Sequence, residues 1–137
     1  MFNKILFPLD RSRESESAIA VAIDLVKKYQ SKLIILSVVE APDLEAETID
    51  DPVMQSTEGV DRLLHSAQAL FANEGVESEI LQRDGKPAFT ICDVADELNV
   101  NLIVMGSRGS GLDLEHLTES VSSRVIELSP CPVLIVP

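Results

Sequence analysis

The sequence predicts one α/β domain built on an open parallel sheet. Two continuously apolar segments, residues 32–39 and 102–105, have the pattern of strands buried on both faces. Segments with helical spacing of apolar residues alternate with the strand-like segments, which gives the order βαβαβαβαβ. Strands that alternate with helices pair in parallel through right-handed crossovers, so a doubly wound sheet is expected. The 137 residues match a single domain, residues 1–137.

The first half of the chain contains two strands, a helix and an acidic connection. Residues 4–9 form a short apolar strand, and Ser12 or Ser15 can cap the helix that follows. The apolar residues of this helix are Ala18, Ile19, Ala22, Ile23, Leu25 and Val26. After the strand at 32–39, residues 40–56 have many carboxylates, two prolines and no basic residue, and we expect a mobile surface connection there.

The second half contains three helices and three strands. A helix over residues 60–71 should end near residues 73–75, and residues 76–83 alternate as an edge strand does. A turn at residues 84–87 leads into a helix with Pro87 in its first turn. The predicted buried face of that helix is Phe89, Ile91, Cys92, Val94, Ala95 and Leu98, and that of the last helix is Val121, Val125, Ile126 and Leu128. The final strand is Val133–Val136.

Charge and composition exclude several classes of function. The chain has 11 basic and 23 acidic residues, a net charge of −12, which repels nucleic acid and anionic membranes. No segment resembles a signal peptide or a membrane span, so a cytoplasmic location is expected. Cys92 and Cys131 have no metal or redox spacing and are interpreted as buried free thiols. His65 is interpreted as a surface residue, and His116 as solvated or capping.

Ligands of doubly wound sheets bind beyond the carboxyl ends of the strands, where the strand order reverses. The candidate loops are therefore residues 8–10 and 106–111, and the second combines glycines, hydroxyls and Arg108 before a helix, which favours an anion. A glycine-rich loop without a ligand is the alternative. The P-loop, GxGxxG and GxSxG patterns are all missing from the sequence, which argues against several nucleotide and hydrolase classes.

Motifs along nearly the whole chain resemble the universal stress protein family. They are the start KILFPLD, the segment LSVV, the segment GKP, and the stretch from LIVMGSRG to CPVLIV. The resemblance implies strand order 3-2-1-4-5, helices on both faces, and a Rossmann-like adenine-nucleotide-binding fold. It also implies a homodimer through Val133–Val136.

The same resemblance implies which residues would bind ATP, with Mg²⁺ bound only together with the nucleotide. Asp10, beside Pro8, would meet the ribose, and the backbone of Val38 would read the adenine edge. The phosphates would be held by Gly106, Arg108, Gly109, Ser120 and Val121.

One position departs from the ATP-binding motif of the family, because Glu119 stands where its third glycine is expected. A side chain there costs about 1–2 kcal/mol if the backbone is left-handed, and a carboxylate about 4 Å from a phosphate costs about 1–4 kcal/mol. Either ATP binding is impaired or lost, or Glu119 turns to solvent while Arg108 compensates.

Three functions follow from these observations. The first is a stress-response regulatory module that binds ATP or AMP with at most slow hydrolysis, and therefore without a catalytic site. The second is a nucleotide-independent dimer that acts through an unknown protein partner. The third, a flavin enzyme or hydrolase on a similar sheet, has no supporting motif.

Overall fold

The computed structural model describes residues 1–10, 13–40, 53–107 and 121–137. Nine elements follow one another in this part of the chain. They are β1 (Lys4–Pro8), α1 (Arg13–Tyr29), β2 (Lys32–Glu40), α2 (Thr57–Asn73), β3 (Ser78–Gly85), α3 (Pro87–Glu97), β4 (Leu102–Gly106), α4 (Val121–Leu128) and β5 (Val133–Val136).

The five strands form one parallel sheet in the order β3-β2-β1-β4-β5, which confirms the predicted fold class. The central strand β1 pairs with β2 on one side and with β4 on the other. Ile5, Leu6 and Phe7 of β1 are fully buried, as a strand covered on both faces requires. None of the described helices is long and apolar enough to cross a membrane.

Side chains of successive strand residues enter two separate cores, one on each face of the sheet. Ile5, Phe7 and Leu33 pack under α1 and α2, whereas Leu6 and Ile34 pack under α3 and α4. The period of two along each strand therefore explains why these strands are apolar at every position. In the first core the rings of Phe7 and Phe71 meet edge to face, with centroids 5.6 Å apart at 78°.

The end of α2 lies where the sequence predicts it. The helix ends at Asn73, and Gly75 adopts a φ of +80°, a left-handed conformation that glycine takes without strain. Its N–H donates to Ala72, and the N–H of Val76 donates to Phe71. Val76 is therefore buried in the turn, and β3 starts two residues later than predicted.

Three residues predicted to face inward are exposed instead. Phe89 of α3 is 46% exposed, and Ile126 and Leu128 of α4 are 57% and 46% exposed. On α3 the buried face runs through Ala88, Ile91 and Ala95, so Phe89 lies about 100° around the helix from Ala88. In α4, Ile126 likewise lies about 100° around the helix from Val125, which is fully buried.

Two other expectations need correction. Cys131 is only partly buried, whereas Cys92 is buried as predicted. In the predicted surface connection 40–56, the described part is not uniformly exposed, because the side chain of Met54 is 4% exposed. Ser56 caps α2 by accepting a hydrogen bond from the N–H of Gly59. Residues 41–52 lie outside the described part of the chain.

Candidate nucleotide site

A pocket opens at the carboxyl ends of β1, β2 and β4, where the strand order reverses. It encloses about 480 Å³ of atom-free space, including the part open to solvent. The position is the one at which doubly wound sheets bind their ligands.

Five of the residues predicted for the site line this pocket: Pro8, Asp10, Val38, Gly106 and Val121. Three of them belong to β1, β2 and β4, Asp10 follows β1, and Val121 starts α4, so only the folded sheet brings them together. The other predicted residues, Arg108, Gly109 and Ser120, lie outside the described part of the chain. The same is true of Glu119 and His116.

Sequence patterns did not identify several further lining residues. These are Leu36, Glu40, Met54, Pro87, Ile91 and Met105. Leu36 and Met105 were assigned only to the core, although each stands two residues or fewer from a predicted site residue. Nothing in the sequence indicated that Met54 lines a site, because it follows an acidic segment that was interpreted as solvated.

The backbone of β2 presents a hydrogen-bonding edge to this pocket at Val38. The N–H of Lys32 donates to the carbonyl of Asn3, and the carbonyl of Leu36 accepts from the N–H of Leu9, both at 2.8 Å. The backbone N–H and C=O groups of the even-numbered residues of β2 therefore point toward β1. Val38 is the next even-numbered residue, so its N–H and C=O face the same side, but β1 ends at Pro8, the partner of Leu36. The N–H and C=O of Val38 therefore point into the space that β1 leaves, and Val38 lines the pocket.

The walls on the two sides of this edge are apolar. Leu9 and Met54 belong to the core under α1 and α2, whereas Ile91 and Met105 belong to the core under α3 and α4. A flat ring bonded edge-on to Val38 lies in the continuation of the sheet, between these two walls. The pocket thus combines apolar faces with a backbone donor and acceptor, which suits a nucleobase.

Asp10 and Glu40 are the charged residues among the described lining of the pocket. A carboxylate accepts hydrogen bonds from sugar hydroxyls but repels phosphate oxygens. The described lining therefore fits the base and the ribose of a nucleotide. The residues predicted to hold phosphates between positions 108 and 120 lie outside the described part of the chain.

The two cysteines lie away from the pocket lining. Burial raises the pKa of the Cys92 thiol, and the neighbouring Asp93 and Cys131 raise it further. At neutral pH Cys92 is therefore a protonated, weakly nucleophilic thiol. His65 is an exposed residue whose Nδ1 lies 2.9 Å from the carbonyl oxygen of Asp61. Within the described ranges, no group of His, Cys, Asp and Glu is placed to hold a metal ion.

The model of the universal stress protein family matches residues 1–137 of this sequence. The chain belongs to the universal stress protein family. It is 55% identical to universal stress protein Sll1654 of Synechocystis, an alignment that covers 100% of this chain and 87% of that protein. The family assignment made from the sequence motifs is confirmed.

Solved structures of family members have the same fold as this universal stress protein. A universal stress protein in complex with cAMP superposes with a TM-score of 0.79 at 24% identity, over 98% of this chain and 97% of that one. The universal stress protein from Archaeoglobus fulgidus in complex with dAMP gives 0.73 at 22% identity, over 100% of both chains. At these identities the likeness establishes the architecture.

Proposed function

We propose that this universal stress protein is a regulatory module that binds an adenine nucleotide, ATP or AMP, with little or no turnover. The base lies in the pocket between β1, β2 and β4, and Asp10 accepts a hydrogen bond from the ribose. The observation that carries the proposal is the backbone edge of Val38 between two apolar walls. Two proteins of the same fold were solved with cAMP and dAMP, which agrees with an adenine ligand.

The Val38 edge favours adenine over guanine. Adenine offers an acceptor, N1, beside a donor, the exocyclic amine, and these match the Val38 N–H and C=O. Guanine offers a donor at N1 beside an acceptor at O6, so both bonds would be mismatched. A buried mismatch leaves polar groups unpaired, and each one costs about 1–3 kcal/mol.

Calorimetric titration with ATP, AMP and GTP, each with and without Mg²⁺, tests the proposal. We expect the adenine nucleotides to bind and GTP to bind at least about tenfold more weakly. Mg²⁺ should strengthen ATP binding, because it reduces the charge that the triphosphate presents to an acidic protein. Absence of heat with every adenine nucleotide would refute the proposed function and leave the dimer hypothesis described below.

Substitution of Val121 tests the location of the site. Val121 is partly buried and lines the pocket at the start of α4. Val121→Trp fills the pocket, and we expect the ATP affinity to fall at least about tenfold, since binding must then expel the indole. The matched control is Ile126→Trp on the same helix, where the native side chain is 57% exposed. Equal affinities of the two variants would place the nucleotide elsewhere.

The strand β5 favours a second function, an interaction module that acts as a homodimer. This strand is an edge of the sheet, and its Leu134 is 39% exposed. An apolar edge strand pairs readily with a second copy of itself. Ile126 and Leu128 of α4 are further exposed apolar residues. Nucleotide binding and dimer formation can coexist in one molecule.

Substitution of Leu134 tests this dimer. Leu134→Glu places a carboxylate near its symmetry mate in the paired strands, where like charges repel. We expect the mass from light scattering to fall from that of two chains to that of one at micromolar concentration. The control is Leu70→Glu on α2, whose native side chain is 52% exposed and which belongs to the opposite layer. A wild-type protein that is already monomeric would exclude the β5 dimer.

A further inference from the structure

Residues Val53–Ser56 hold Met54 at the mouth of the pocket. The carbonyl of Met54 accepts the N–H of Glu40 at 2.8 Å, and the N–H of Ser56 donates to Val53 at 3.1 Å. Gly59 of α2 packs directly beneath Val53, because a Cβ on Gly59 would lie 2.8 Å from the carbonyl oxygen of Val53. These contacts fix the backbone on both sides of Met54, whose side chain is 4% exposed.

The hydrogen bond from Glu40 to Met54 lies on the same edge of β2 as the backbone N–H and C=O of Val38, two residues further along the strand. Glu40 lies two residues after Val38 on β2, so its N–H points to the same side of the strand. Two residues along a strand span about 6.6–6.8 Å. Met54 therefore stands beside the place where a base bonded to Val38 would lie, on the side toward the carboxyl end of β2.

The orientation of the base follows from the chain direction. Along β2, the N–H of Val38 comes before its C=O. Adenine N1 accepts from this N–H, and the exocyclic amine donates to this C=O. The amine consequently lies on the Glu40 side of the base. One amine hydrogen bonds the Val38 carbonyl, and the other points along the strand toward Met54.

We propose that Met54 closes the amine end of the adenine slot and makes this protein selective for adenines with an unsubstituted exocyclic amine. This inference rests on the proposed function. The Met54 carbonyl, beside the β2 edge, has a second lone pair for the outward amine hydrogen. The Met54 side chain, on the α1/α2 side of the same pocket, occupies the space into which an N6 substituent would turn. An N6-benzyl group would have to displace the Met54 side chain from its contacts with the core, which Met54→Ala removes.

Titration of three proteins with ATP and N6-benzyl-ATP tests the inference. The wild type should bind N6-benzyl-ATP at least about tenfold more weakly than ATP, and Met54→Ala should bind it at least about tenfold more tightly than the wild type does. Met54→Leu, which nearly conserves the volume, should discriminate as the wild type does. Thermal melting of each free variant confirms that it is folded before the titration.

The possible failures are distinguishable. A wild type that binds ATP and N6-benzyl-ATP within about threefold of each other refutes the role of Met54 while the proposed function stands. The same conclusion follows if folded Met54→Ala discriminates as strongly as the wild type. A wild type that binds neither nucleotide refutes the proposed function together with this inference.

Discussion

Replacing Phe71 by Ala should lower the free energy of unfolding by about 3–5 kcal/mol. Phe71 is fully buried between α2 and the sheet, and its ring contacts that of Phe7 edge to face. The substitution removes apolar contacts, an aromatic pair and volume from a close-packed core. Most domains have a total stability of only about 5–15 kcal/mol, so the variant should be close to unfolding.

Urea denaturation of Phe71→Ala against the wild type gives this difference directly. The control is Leu70→Ala, its neighbour on the same helix, which is 52% exposed and should cost less than about 1 kcal/mol. Similar losses in both variants would mean that burial of the Phe71 ring does not explain the effect, since Ala favours a helix more than Phe or Leu does. A loss below about 1.5 kcal/mol for Phe71→Ala would contradict the packing described between α2 and β1.

Replacing Glu119 by Gly should raise the ATP affinity by about tenfold to a thousandfold. The reason lies in the sequence, because Glu119 occupies the position of the third glycine in the ATP-binding motif of the family. If position 119 lies beside the phosphates as the motif implies, its carboxylate repels them, and if its backbone must be left-handed there, a side chain adds strain. Asp10 and Glu40 already make the described pocket acidic, so one carboxylate fewer should have a measurable effect.

Calorimetric titration of the wild type, Glu119→Gly and Glu119→Gln separates these two causes. Glu119→Gln removes the charge but keeps the side chain, so an equal gain in both variants identifies repulsion as the cause. A gain in Glu119→Gly alone identifies the backbone requirement. Equal affinity in all three proteins would mean that the carboxylate is tolerated and that the natural protein is fully able to bind ATP.

The sheet and its core strands were predictable from local patterns. Residues 32–39 and 102–105 are apolar at every position because both faces of the sheet are covered, and that composition is visible in the sequence. The end of α2 was predictable for a similar reason, since Gly75 relieves the strain of its left-handed backbone. The expectation of a site beyond β1 and β4 followed from topology alone, and a pocket opens at that place.

Helix faces were harder to predict, because the rotation of each helix against the sheet and the neighbouring helix decides which residue is covered. α4 is only eight residues long and packs beside α3, so Val125 is buried while Ile126 is exposed. Val125 and Ile126 are both strongly apolar, so hydrophobicity alone predicts that both are buried. The position of Phe89 on α3 was wrong for the same reason.

For this protein, the sequence by itself determined the family, the parallel sheet and the residues at the ends of β1 and β4, because strand and loop patterns are local properties. Only the tertiary structure decided that the Val38 backbone faces a gap and that Met54 lines the same pocket. The first depends on where β1 stops relative to β2. The second depends on a hydrogen bond between residues 40 and 54, whose partners meet only after the chain has folded.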